Sequence, residues 1–327
     1  MTIPKNKRQV HILIEGLLYD IISSVMEEGL YFAEKFTDNI VRNIKVENLF
    51  YEGKTKYQHV QIFDNKMLGK VLFLDQKIQT AAIDESVYHE TLVHPALMTH
   101  PNPQDVLVIG GGEGATLREV LRYDCVKKAV MVDIDKELVH LCAKYLPEWS
   151  SGAFADPRVR VVYRDALRYV QTSRQKFDVI ISDLTEPIEE GPSVPLFSMG
   201  FFKDISRILK EDGVFVLQAG SADLIYSSFF ISCAMTLEQV FPIVRPYRTF
   251  LFSFSSSWGF ILASKKEDPL KMGERTIGKR IRERKVKKLK FYHPGIHNSQ
   301  FALPLYLEKT MKKGRIITKK KPFIWGL

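Results

Sequence analysis

Nowhere in this chain do 18 consecutive residues stay apolar, so nothing in it reads as a membrane span. Cysteine is scarce. Cys125, Cys142 and Cys233 have neither the spacing of a disulfide framework nor that of a metal site. They are expected to be free thiols in a reducing cytosol, with no metal bound. A basic stretch, Met1 to Arg8, is followed by Glu15 and Asp20 rather than an apolar core, which argues against a secretory signal and for a cytoplasmic protein. Charge is unevenly distributed. Between Leu270 and Leu327 there are three Asp/Glu against 17 Lys/Arg, so this run more than accounts for the net charge of +9 and leaves the remainder net acidic. With few interleaved aromatics and no recognisable nucleic-acid motif, the run reads as a solvated basic surface rather than a nucleic-acid interface.

What is present is an ordinary globular composition, 45% hydrophobic and 26% charged over 327 residues, enough for one large domain or two. The chain is organised around Val106 to Val120. An apolar run, Val106 to Ile109, leads into Gly110-Gly-Gly-Glu-Gly and then into an amphipathic segment, Ala115 to Leu121. Strand, glycine turn and helix in that order open the nucleotide site of a doubly wound sheet. A second apolar run ends in Asp133, 23 residues after Gly110, where a carboxylate is placed to accept from ribose hydroxyls. Glu113 lies inside the turn. It would repel a pyrophosphate, which disfavours NAD or ATP and favours a nucleoside carrying positive charge, such as a sulfonium.

Taken in order, Val10 to Met26 shows helical apolar spacing and predicts an amphipathic helix packed on the body or on a second subunit. Alternation at Tyr57–Phe63, Lys70–Leu74 and Lys77–Thr80 predicts a small antiparallel sheet. Tyr88 to Met98 reads as a helix. Beyond it, apolar runs at Val106, Ala129, Arg158, Lys176 and Gly213 alternate with helical segments, including Lys136–Tyr145, Phe201–Leu209 and Ala222–Val240. Val244–Phe250 and Gly259–Ser264 read as a closing antiparallel hairpin. The expected fold is α/β: a Rossmann-like, methyltransferase-type sheet behind an N-terminal helix and a small antiparallel β-domain. The expected divisions are 1–30, 31–84, 85–268 and a basic extension, 269–327.

Glu113, Asp133, Asp165 and Asp183 all fall at or just beyond the carboxyl ends of successive predicted strands, and Glu186 follows. Those ends face the ligand crevice of an open α/β sheet. So many acids in one crevice repel one another unless a cation compensates, and a sulfonium and a polyamine are the simplest candidates.

These residues carry a resemblance. The glycine turn through Val120, Val132-Asp-Ile-Asp, Asp183-Leu-Thr-Glu-Pro, Tyr57-Gln58 and Tyr88-His-Glu look like the polyamine aminopropyltransferases, the family of spermidine, spermine and thermospermine synthases. The resemblance implies decarboxylated S-adenosylmethionine as co-substrate, methylthioadenosine as co-product, no separate cofactor, and a homodimer or homotetramer. It assigns Asp183 as catalytic acid with Tyr88 beside the attacked amine. Gln58, Gly110, Gly112, Glu113, Asp133 and Asp165 would hold the donor. Tyr88, His89, Glu186 and Phe254 would meet the acceptor. Four positions depart from the pattern of putrescine users: His89 in place of a common Gln, Leu184 and Glu186 in place of Ser and Asp, and Phe254 in place of a Tyr. The Asp-Leu pair and Gln218-Ala-Gly look more similar to thermospermine synthases and to bacterial enzymes acting on agmatine or longer amines. A methyltransferase on the same sheet and a non-catalytic polyamine or nucleoside binder are the competing readings, and turnover to methylthioadenosine separates the three.

Overall fold

The computed structural model describes residues 29–37 and 40–325; the helix expected over 10–26 lies outside the described residues. The chain enters through a two-stranded ribbon, β1 (Leu30–Thr37) and β2 (Ile40–Val46). A four-stranded antiparallel meander follows: β3 (Asn48–Lys54), β4 (His59–Asn65), β5 (Gly69–Leu74) and β6 (Lys77–Ala81). Only β4, β5 and β6 were legible as alternating text. The first three strands bury little, and β3 is mostly exposed, so no clean apolar period marks them.

The meander is covered on both faces. Val60, Ile62, Leu72 and Leu74 pack against Leu138, Cys142 and Trp149 of the following unit. Phe63 and Phe73 turn the other way, edge to face with each other and, for Phe63, with Phe32 of the ribbon at 5.0 Å. The small sheet is thereby fixed as one wall of whatever lies between it and the large sheet.

Helix α1 (Glu85–Thr99) links the two parts, and 13 of its 15 residues are buried. A helix buried on every side must satisfy its polar groups internally. Thr91, Glu90 and His94 all do so. Glu90 accepts three main-chain N–H bonds, from Lys290, Phe291 and Tyr292, at 2.7–2.8 Å. Glu90→Gln is expected to lower stability by about 1.5–3 kcal/mol, because a buried amide would turn a donor toward those N–H groups. A denaturant titration should show the midpoint falling at unchanged slope, and an unmoved midpoint would count against this account of the anchor.

The large sheet comprises β7 (Asp105–Gly110), β8 (Lys128–Asp133), β9 (Val159–Tyr163), β10 (Phe177–Asp183), β11 (Leu209–Ser221), β12 (Ile243–Leu251) and β13 (Ser256–Ser264). Its order is β12-β13-β11-β10-β7-β8-β9, parallel except for the two pairings made by β13. This is the expected Rossmann-like α/β sheet with its closing hairpin. Intervening helices are α2 (Ala115–Leu121), α3 (Lys136–Tyr145), α4 (Ala166–Thr172), α5 (Met199–Ile208) and α6 (Ser228–Glu238). The helix expected from Ala222 begins six residues later than read. Ala222 N–H instead bonds Ser257 carbonyl, and Asp223 accepts from the hydroxyl of Ser256, which ties this stretch to β13.

The basic run is not simply a solvated surface. It forms α7 (Glu274–Glu283), α8 (Pro294–Ser299) and α9 (Leu305–Thr310), and it buries Tyr292, Leu307 and Ile317. Arg284 donates to the carbonyls of Leu97, His100 and Pro101, and Arg280 to those of Met98 and Thr99. These are carbonyls of the last turn of α1 and of the two residues that follow it, so two tail cations cap a buried helix end.

Candidate active site

Strands β7 and β10 are adjacent and parallel, so Gly110 and Asp183 leave the sheet side by side at its carboxyl edge. Gly110 has φ +78°, and any Cβ there would collide with the Asp183 carbonyl. Gly111 N–H donates to that same carbonyl at 2.9 Å. The glycine turn therefore lets backbone pass against backbone and brings Asp183 beneath the start of α2. The carboxylate is held from both sides. Tyr88 Oη–H donates to Oδ1 at 2.7 Å, and Thr116 Oγ1–H donates to Oδ2 at 2.6 Å.

Glu113 projects from the turn and accepts from His89 Nε2 at 2.9 Å. His89 Nδ1 faces the Glu85 carbonyl at 2.6 Å and the Glu85 carboxylate at 3.3 Å. Burial disfavours the imidazolium, but hydrogen bonds and charge from Glu113 and Glu85 prevail and raise its pKa to about 10. Behind it, Glu85 pairs with Arg118 at 2.7 Å, and Arg118 with Glu119 at 2.8 Å. A buried line of alternating charge thus backs the cationic ring of His89. His89, Glu113 and Asp183 lie close enough together to suggest metal ligands. Both His89 nitrogens already face carboxylates, however, and the protonated ring has no lone pair for a metal.

Asp133 closes β8. Burial, and then the charges of Asp135, Glu113 and Asp183, raise its pKa to about 7 despite a hydrogen bond from Asp135 N–H. Asp183 is likewise raised, first by burial and then by Glu113. Burial raises Glu186 to about 7, against the hydrogen bond from Gln218. Asp165 is exposed at the rim and caps α4 through Arg168 N–H. Gln58 reaches across from the small sheet, but its amide donates to Asp135 at 3.0 Å.

At the far end, Phe254 meets Tyr88 and Trp258 edge to face, with centroids 6.0 and 4.6 Å apart. Gln218 donates to Glu186 Oε1 at 3.3 Å.

Every residue singled out from the sequence (Gln58, Tyr88, His89, Gly110, Gly112, Glu113, Asp133, Asp165, Asp183, Glu186 and Phe254) lines a single cavity between the small sheet and the large one. Four further residues escaped the sequence reading. Thr116 and Asp135 sit within the quoted motifs, and a hydroxyl opening the helix after the glycine turn was a usable signal for Thr116. Gln218 was noted only as part of a run, and Trp258 carries no local signal at all.

The comparisons agree with this geometry. Residues 85–272 match the family described as spermine/spermidine synthase domain, and residues 30–82 match the spermidine synthase tetramerisation domain. A polyamine aminopropyltransferase 2 of Hyperthermus butylicus is 41% identical over 279 residues, covering 85% of this chain and 91% of that protein. A polyamine aminopropyltransferase of Pyrobaculum calidifontis is 43% identical over 281 residues, covering 84% and 95%. Among solved structures, a spermidine synthase in complex with the transition-state analogue AdoDATO superposes with a TM-score of 0.81 at 36% identity, covering 88% of this chain and 96% of that one. The spermidine synthase of Thermotoga maritima superposes at 0.80 with the same identity and coverage. Fold, site geometry and these matches together make the chain a member of the spermine/spermidine synthase family, the polyamine aminopropyltransferases.

Proposed function

We propose that the cavity transfers the aminopropyl group of decarboxylated S-adenosylmethionine to spermidine, agmatine or a related longer amine. The observation that carries the charge requirement is the lining itself. Among the described residues, seven carboxylates, Asp75, Glu113, Asp133, Asp135, Asp165, Asp183 and Glu186, line the cavity, and no lysine or arginine does. Such a wall is stabilised by cationic ligands and repels anionic ones. Both proposed substrates are cations, and the carboxylate of ordinary S-adenosylmethionine would fall against Glu113.

The roles follow from position. Asp133 takes the ribose hydroxyls, Gln58 and Asp165 the nucleoside, and Glu113, oriented by His89, the aminopropyl ammonium. Asp183 is the base. An aliphatic amine is protonated at neutral pH, with a pKa of about 10 like Lys, and has no free lone pair. Asp183 accepts that proton. The freed nitrogen attacks the aminopropyl carbon bound to sulfur, the C–S bond breaks, and its electron pair stays on sulfur. The leaving group is neutral methylthioadenosine, which needs no general acid. The rest is in-line positioning, and Tyr88 and Thr116 hold the base for it.

We further propose that the chain divides at 1–30, 31–84, 85–268 and 269–327, with 31–84 mediating assembly into a homo-oligomer. No helix among the described residues is long and apolar enough to cross a membrane, in keeping with a cytoplasmic enzyme.

Two positions argue for a longer acceptor. Phe254 offers no hydroxyl, and Glu186 carries one methylene more than the Asp of the usual motif. An acceptor nitrogen left unpaired costs about 1–3 kcal/mol, so a short diamine that cannot reach Glu186 loses ground. With putrescine, agmatine, spermidine and norspermidine in competition at one pH and ionic strength, kcat/KM for a longer amine or agmatine is expected to exceed that for putrescine. A lead for putrescine of tenfold or more would make this an ordinary spermidine synthase.

A further inference from the structure

We infer that Trp325, some 140 residues beyond Glu186 in sequence, is a positioning residue for the acceptor half of the site. The inference rests on the reading of Glu186 as an acceptor-binding acid. After α9 the chain returns over α5 and α6 as a strap from Ile317 to Trp325. Ile317 is fully buried, with its N–H on Thr236 Oγ1 at 2.9 Å and its carbonyl accepting from Met199 N–H at 2.8 Å. Arg315 then donates to the Pro322 carbonyl and lies over the Phe323 ring. Phe323 and Trp325 both pack against buried Phe229, with centroids 5.0 and 5.6 Å away.

The strap reaches the site by two routes. Trp325 N–H donates to the Pro187 carbonyl at 2.7 Å, one residue from Glu186. Its indole lies on Gly220, which has φ +71°; a Cβ there would sit 2.5 Å from the ring. The same indole meets Trp258, with centroids 6.4 Å apart. Trp258 Nε1–H and Gly220 N–H both donate to Gln218 Oε1, at 3.1 and 2.9 Å. With its oxygen so occupied, the Gln218 amide can only turn its nitrogen outward, to the Leu184 carbonyl and to Glu186 Oε1. Trp325 therefore fixes both the backbone that carries Glu186 and the amide that orients its carboxylate. The matched synthase domain ends at residue 272, so this contact comes from outside it.

The test is a steady-state comparison of the full-length wild type with Trp325→Ala, Trp325→Phe and Glu186→Gln. Trp325→Ala is expected to raise KM for the preferred amine about tenfold, the scale of one lost hydrogen bond to a charged group. The Kd for methylthioadenosine should stay within about twofold, and Trp325→Phe, which keeps a ring on Gly220, should recover most of the loss. Unchanged amine KM in Trp325→Ala overturns the inference, and so does a parallel loss of methylthioadenosine affinity, which would mark a general structural role. If Glu186→Gln also leaves amine KM unmoved, the acceptor reading itself falls. If Glu186→Gln raises it while Trp325→Ala does not, only the role of the strap is lost.

Discussion

Asp183→Asn is expected to lower kcat by about 10²–10⁴-fold, the usual scale for removing a general base, while methylthioadenosine binds within a few-fold of wild type. Asn keeps the shape and one acceptor oxygen, so one of the hydroxyls of Tyr88 and Thr116 keeps its acceptor and the other must turn to accept from the amide N–H, but Asn cannot take a proton. In the native site each Asp183 oxygen accepts one of those hydroxyls. A carboxylate oxygen has two acceptor positions, so each keeps one for the incoming amine. The environment also sets a pH signature. Burial, then the charge of Glu113, pushes the Asp183 carboxyl above its ordinary value, and His89 and the two hydroxyls oppose this. The base must be ionised to act, so activity falls as pH drops. Because the pKa is raised, that fall begins at higher pH than for an unperturbed Asp, near 3.9. The limb due to Asp183 should be absent from kcat of the Asn variant at saturating substrates, whereas protonation of Asp133 and Glu186, both raised to about 7, still weakens substrate binding on the acid side. Turnover within about threefold of wild type would remove Asp183 from the role of base.

How much of this could be read from the sequence depended on how each element is stabilised. The inner parallel strands are buried on both faces and announce themselves as short apolar runs: Val106–Ile109 and Ala129–Asp133 lie within β7 and β8. Helices α2 and α3 begin and end where their text said, because one follows a glycine turn and the other is capped by Asp135. By contrast β1 and β2 take their order from pairing with each other, and β3 from pairing with β4, more than from burial, and no local period reports that. The acids at the strand ends were legible because topology alone carries every parallel strand end to one edge. Their partners were not. Thr116 on Asp183, Asp135 on Gln58, and Trp325 on Trp258 are contacts between residues 67, 77 and 67 positions apart. The basic tail misled for a related reason. Charge alone reads as solvation, but Arg280 and Arg284 found buried carbonyls at a helix end that exists only once α1 is packed.

The other large effect expected is on donor choice. Glu113→Gln should raise the Kd for decarboxylated S-adenosylmethionine roughly 10- to 150-fold, equivalent to the about 1.5–3 kcal/mol of one charge-assisted hydrogen bond. Affinity for the carboxylated form should move little, so the preference between the two narrows. His89 makes the effect depend on pH. Its imidazolium is held between Glu85 and Glu113, at 2.6 Å from the Glu85 carbonyl and 2.9 Å from Glu113 Oε1. Removing the Glu113 charge takes away the first of the partners that raise its pKa, which must then fall from about 10. Below the new value the ring stays charged and faces the aminopropyl ammonium without Glu113 between them, so binding is weakest there. Above it the ring is neutral and part of the affinity returns. The loss in Glu113→Gln should therefore shrink as pH rises, and adding His89→Gln should flatten that dependence. Isothermal titration of both nucleosides, at several pH values and fixed ionic strength, measures each of these quantities. A preference ratio equal to that of wild type across the range would mean that Glu113 does not read the end of the chain where the two nucleosides differ.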